Sequence, residues 1–235
     1  MIKKKLLLLA GMPINCVSKL CSRFKTKPYT VLIGRNSGEG ELTYVDEFIK
    51  YDFRDDPSYL ESCINNLPRD FSSVDFVYYP SFQVGRKELV HQSKQEIDTQ
   101  LAVGLTSCIF LTRAILKKYS SSPCSFVIMG SEAAKFGGRE ISVYAAVKGG
   151  LVSFVKGLAK EIARNNKRIN LISPSIIVTN TLKALYGESQ INELKKTIPL
   201  GRLGNVNDLV SLIHWLLSDE ASFITGSVIP LTGGR

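Results

Sequence analysis

Three side chains in the middle of the chain could together deliver a proton to a carbonyl oxygen. Tyr144 and Lys148 stand four residues apart in a stretch of helical spacing, so they share one helix face a turn apart. An ammonium beside a phenol favours the phenolate and lowers a tyrosine pKa from its ordinary value of ~10. A phenol tuned in this way can give its proton to a carbonyl as that carbonyl is reduced. Ser131 lies thirteen residues before the tyrosine, after the apolar run Ser125–Met129, and its hydroxyl could hold the same oxygen. The Tyr–Lys pair alone is weak evidence. Nine tyrosines and nineteen lysines in 235 residues give about 0.7 such pairs by chance. Requiring the serine as well, at a strand end, lowers the chance count below about 0.1.

Short apolar runs recur along the chain at residues 6–10, 29–33, 74–79, 125–129, 169–172 and 228–231. Between them lie stretches of helical spacing near 15–26, 57–67, 94–118, 142–166 and 206–218. Strands without in/out alternation are those of a parallel sheet covered on both faces. Their alternation with helices predicts βαβ units, and so an α/β fold: a doubly wound, Rossmann-like parallel sheet with helices on both faces. Ligands in such sheets bind beyond the carboxyl ends of the strands, which is where Ser131 falls.

With 44% hydrophobic and 22% charged residues, residues 1–235 read as a single folded domain. No apolar run reaches the ~20 residues of a membrane span, and the Met1–Gly11 start reads as a buried first strand. Five dispersed cysteines without a C-x-x-C pair argue against a disulfide framework and for a reducing, cytoplasmic setting. With only two histidines, His91 and His214, no metal site is expected. The net charge is +9, and residues 1–35 hold eight Lys or Arg with no acid. That basicity suits a solvated surface, a phosphate-bearing cofactor or an acidic partner. No nucleic-acid-binding motif is present, and no nucleic-acid or membrane partner is expected.

The chain resembles the short-chain dehydrogenase/reductase family, and within it the 3-oxoacyl-acyl-carrier-protein reductases. The resemblance is carried by Ser131 with Tyr144-x-x-x-Lys148, by Asn170–Thr179, by Ile198–Gly204, by Leu217–Gly226 and by Gly233-Gly234. It implies Ser131, Tyr144 and Lys148 as catalytic residues, with Lys148 also gripping the nicotinamide ribose. It implies NADP(H) as cofactor, with Gly11, Ile14, Arg35, Asp52, Phe53, Tyr144, Lys148, Pro174, Ile177 and Thr179 at the dinucleotide. Arg35 stands where family members hold the 2′-phosphate, and Asp52-Phe53 where they meet the adenine. The substrate would be a small-molecule or acyl-carrier-bound carbonyl compound, under a lid at about 180–205. Lys117, Lys118, Arg164, Lys167 and Arg168 could dock an acidic carrier at the pocket's edge. The apolar coverage of 142–166 suggests burial against a partner subunit as well as its own sheet, and the resemblance implies pairing with 94–118 in a homodimer or homotetramer.

The front half departs from the family pattern. The glycine-rich loop reads Ala10-Gly11-Met-Pro-Ile-Asn15-Cys-Val17, with only the first glycine kept and Val17 where close helix–strand contact needs glycine. Tyr79-Pro80-Ser81-Phe82 replaces N-N-A-G, and Gly104 aligns with the helix asparagine of the family's proton relay. The segment between Arg35 and Asp52 is short for the family's second helix. Two other readings therefore stay open: a non-catalytic family member serving as partner subunit in a biosynthetic complex, and an acid/base catalyst without hydride transfer.

Overall fold

In the computed structural model, which describes residues 4–36, 43–80, 86–178 and 187–235, the run Leu6–Ala10 is the central strand β1. All of its side chains are buried. It pairs in parallel with β2 (Tyr29–Gly34) on one side and β4 (Val74–Tyr78) on the other. Beyond β2 lies β3 (Glu47–Lys50); beyond β4 lie β5 (Cys124–Met129), β6 (Lys167–Pro174) and β7 (Val228–Leu231). The result is a seven-stranded parallel sheet in the order β3-β2-β1-β4-β5-β6-β7. The order reverses between β1 and β4, which opens a crevice at the carboxyl ends of those strands.

Alternate strand residues feed two separate cores. Leu6, Leu8, Phe76 and Phe126 pack with α2 (Pro57–Asn66), α4 (Ser107–Lys118) and α6 (Ser142–Ile162) on one face. Leu7, Leu9, Val77 and Val127 pack with α1 (Ile14–Cys21) and α8 (Val206–Leu217) on the other. Both faces are dry, so β1 reads as an unbroken apolar run, and each fully buried leucine stabilises by roughly 1.5–3 kcal/mol. Helix starts follow local chemistry. Asp56 caps α2 ahead of Pro57, Ser93 and Glu96 form a capping box on α3 (Lys94–Leu101), and Asn205 and Asp208 do the same for α8.

The expected strands and helices are all present, with ends shifted by a few residues. Helix α1 stops at Cys21, and α6 stops at Ile162 before a short turn in which Asn166 takes a left-handed conformation. Strand β3 and the helices α5 (Ala133–Phe136) and α7 (Glu188–Lys196) had no clear signal, being short or polar. Between Arg35 and Asp52 the described residues hold β3 and no helix, as the short segment implied. By length and composition alone the helical stretch Lys94–Lys118 could cross a membrane, although charged residues interrupt it and it is not one apolar run. Its residues Cys108, Leu111, Ala114 and Ile115 are nevertheless buried in the sheet-facing core.

Candidate active site

Strand β5 ends at Met129, and Gly130-Ser131 follow directly. A Cβ on Gly130 would come 2.3 Å from Leu171 Cδ2, so only glycine lets the chain pass so close to β6 here. That passage sets Ser131 against α6. Its Oγ accepts from the Ala133 N–H at 3.2 Å, and its hydroxyl is close enough to the Tyr144 phenol to favour the phenolate. Tyr144 and Lys148 share one face of α6, with the lysine Nζ 5.7 Å from the phenol ring centroid. The structure thus brings Ser131, Tyr144 and Lys148 together at the carboxyl ends of the strands.

The electrostatics differ from the sequence expectation in one respect. Burial pushes the Tyr144 phenol up from its ordinary value, and the Ser131 hydrogen bond opposes the rise. With 3% of its surface exposed, Lys148 donates from Nζ to the Met129 carbonyl at 2.8 Å. Burial lowers its own pKa from 10.5 to about 8. The bond to the Met129 carbonyl uses one of the three ammonium donors and anchors Lys148 beside the phenol.

Gly11 has φ +72°, and a Cβ there would lie 2.6 Å from the Tyr79 carbonyl oxygen, so a glycine is required on both counts. The turn it makes leads into α1, whose first residue is Ile14. Val17, where a glycine was expected, is fully buried in the core beneath α1. Tyr79 sits near both Cys16 of α1 and Tyr144, and burial raises its phenol to about 12. Gly104 lies in a buried π-helical turn, Ala102–Thr106, between α3 and α4.

Arg35 and Asp52 meet in a second region, a cavity of about 540 Å³ lined also by Asn36, Lys50, Tyr51, Asp55, Asp56 and Tyr59. Arg54 grips the Asp52 carboxylate with Nε and Nη2 at 2.5–3.1 Å and holds its pKa low. Phe53 points away from this cavity. It is buried, edge-on to Tyr51 and Tyr78, so only its backbone is available to a ligand. Lys50 was missed because β3 itself was not recognised. Its pairing with Gly34, one residue before Arg35, is what sets the two cations side by side.

Pro174 ends β6 and its carbonyl accepts the Glu132 N–H at 3.2 Å, beside Ser131. Ile177 pairs with Gly204, which ties the segment after β6 to the approach to α8. Thr179 and the start of the expected lid lie outside the described residues. The end of that lid is not loose, because the Leu200 N–H donates to the Gly233 carbonyl and Arg202 pairs with Asp208 at 2.7 Å.

The expected docking cations are misplaced for this role. Lys117 and Lys118 end α4, Lys167 and Arg168 begin β6, and all lie at the opposite end of the sheet from Ser131. Lys118, Lys167 and Arg168 are held by the carbonyls of Asn65, Ser120 and Leu216. They do not edge the pocket of their own chain.

A model of the family described as enoyl-(acyl carrier protein) reductase matches residues 39–235. The 3-oxoacyl-[acyl-carrier-protein] reductase FabG of Salmonella typhimurium is 31% identical over 180 residues, 76% of this chain and 73% of that one. The corresponding reductase of Buchnera aphidicola subsp. Schizaphis graminum is 26% identical over 99% of this chain and 98% of its own. A 3-oxoacyl (acyl-carrier-protein) reductase from Agrobacterium tumefaciens, solved with NADP bound, superposes with a TM-score of 0.86 at 20% identity. That superposition covers 100% of this chain and 95% of the other. With the matched family model spanning most of the sheet and the trio of Ser131, Tyr144 and Lys148 gathered at its carboxyl end, the chain belongs to the short-chain dehydrogenase/reductase family of oxidoreductases.

Proposed function

We propose that this chain is an NADPH-dependent reductase of a ketone or 3-oxoacyl substrate, acting through Ser131, Tyr144 and Lys148. The observation that carries the reading is that Ser131, at the end of β5, stands beside Tyr144 and the buried Lys148, whose Nζ lies 5.7 Å from the phenol ring centroid. Bound NADPH would supply the hydride to the carbonyl carbon. Ser131 holds the carbonyl oxygen, and Tyr144, whose raised pKa keeps it protonated at neutral pH, gives that oxygen its proton. Lys148, titrating near 8, is matched to neutral pH for returning a proton to the phenolate.

The dinucleotide fits the residues in two places. Gly11 makes a turn that no Cβ could share, which lets a backbone approach a pyrophosphate at the start of α1. Arg35 and Lys50 offer two cations to a 2′-phosphate in a cavity that Asp55 and Asp56 also line, with the third carboxylate, Asp52, already paired with Arg54. Ile14, Pro174, Ile177 and Thr179 belong to the proposed cofactor site on the family resemblance alone. Carrier-bound substrate is supported by the matched relatives' names and the net charge of +9, and five free cysteines suit the cytoplasm.

Binding and turnover test the proposal together. NADPH should bind more tightly than NADH, and Arg35→Ala should cost about 1–3 kcal/mol of NADPH affinity with little effect on NADH. Tyr144→Phe should lower turnover by ~10²–10⁴-fold while its melting curve stays close to wild type. Equal affinity for both dinucleotides would defeat the NADPH assignment. A second reading, the non-catalytic partner subunit, draws on Tyr79 standing between α1 and Tyr144. It predicts that neither dinucleotide binds.

A further inference from the structure

The helix that backs Lys148 is irregular at one place. Within the π-helical turn Ala102–Thr106 the ladder of hydrogen bonds slips by one residue. The Ser107 N–H bonds the Ala102 carbonyl, five residues back, whereas an α-helix would direct it to Val103. The Val103 carbonyl is passed over, and a buried carbonyl without a donor is costly. Tyr78, the last residue of β4 and fully buried, donates its hydroxyl to that oxygen at 2.5 Å. A phenylalanine would fill the same apolar space, so the hydroxyl itself needs a reason.

The turn shapes the wall against which Lys148 is placed. Leu105, inside the turn, lies against Gly150 of α6, where a Cβ would come 3.1 Å from Leu105 Cδ2. Cys108, one turn further on, is buried near enough to act on the Lys148 ammonium. The extra residue of a π-turn rotates everything after it about the helix axis. Closing the turn would therefore swing Leu105 and Cys108 away from these contacts.

We propose that Tyr78 is a positioning residue for Lys148: by satisfying the Val103 carbonyl it holds the π-turn open, and the open turn fixes the wall behind the lysine. Lys148 matters to catalysis only under the reductase reading above, but its surroundings can be measured without any turnover.

Tyr78→Phe removes only the hydroxyl. Tyr119→Phe is the comparison, since the Tyr119 hydroxyl donates to the Pro68 carbonyl at 2.7 Å, at the other end of the sheet. The Lys148 titration is read by NMR on protein carrying ¹⁵N-labelled lysine, with the signal assigned through Lys148→Met. In Tyr78→Phe the midpoint should move back toward the ordinary lysine value by about one pH unit or more, as water reaches the ammonium. Tyr119→Phe should leave it in place. Turnover of a ketone with NADPH should fall about tenfold in Tyr78→Phe, mostly in kcat, with the pH profile moved in step. An unmoved Lys148 midpoint in folded Tyr78→Phe, or an equal shift in Tyr119→Phe, overturns the proposal. If Tyr78→Phe does not fold, 4-fluorophenylalanine at position 78 fills the hydroxyl's space without a donor for the Val103 carbonyl, and an unmoved midpoint there overturns the proposal too. A wild type that reduces no ketone defeats the reductase reading and leaves the titration to decide the role of Tyr78.

Discussion

Lys148 is placed at a cost in stability. Its pKa is about 8 in the folded chain against 10.5 for an ordinary lysine. Between those values the unfolded chain binds more protons than the folded one, so this residue makes stability rise with pH from about 8 to 10.5. Below that window the buried charge destabilises, offset in part by the bond to the Met129 carbonyl. Lys148→Met should therefore raise stability at pH 7 by on the order of 1–3 kcal/mol while abolishing any turnover. Denaturant melts at pH 7 and pH 10.5 check it, and the gain over wild type should shrink at the higher pH. A variant less stable than wild type at pH 7 would mean that the lost hydrogen bond outweighs the relieved charge.

At the scale of elements, the junction between β1 and α1 carries the most exacting geometry. Gly11 is left-handed, and its missing Cβ leaves room for the Tyr79 backbone after β4. Its own N–H donates to the Ile33 carbonyl at 2.8 Å, so three strand ends meet on it. Gly11→Ala should cost about 1–3 kcal/mol from backbone strain, with a further penalty from the 2.6 Å approach. It should also weaken NADPH binding, because the turn is where the pyrophosphate would lie. A melting temperature and a dinucleotide Kd equal to wild type would show that the turn relaxes freely.

At the scale of the molecule, one face of the two long helices is not covered by the described residues. Ile109 and Phe110 on α4 and Leu101 at the end of α3 are exposed, while α6 buries Val147, Leu151 and Val155 on its sheet side. We assign this surface to contact between copies of the chain, as the wide apolar coverage of α6 leads one to expect. Phe110→Lys should shift light-scattering mass from a dimer or tetramer toward the monomer, with the far-ultraviolet spectrum unchanged. A wild type that is monomeric at micromolar concentration rejects the assignment.

The sequence by itself determined the sheet, because strands buried on both faces must read as unbroken apolar runs and the intervening helices are long enough to be periodic. It also determined the trio, since Tyr144 and Lys148 are close along one helix and Ser131 is marked by the strand that ends before it. Other features depended on contacts between segments far apart in the chain. That Lys148 donates to the Met129 carbonyl is settled by packing. So is the turning of Phe53 into the core, away from any adenine, and the pairing that sets Lys50 beside Arg35. Lys117, Lys118, Lys167 and Arg168 look like a cluster at the pocket's edge when read along the chain. The parallel strands carry them to its far end, because each β–α unit returns the chain to the side of the sheet opposite its carboxyl ends. The π-turn at Gly104 was unreadable for the same reason: the hydroxyl that satisfies it belongs to Tyr78, on another strand, and helix propensity contains nothing of that bond.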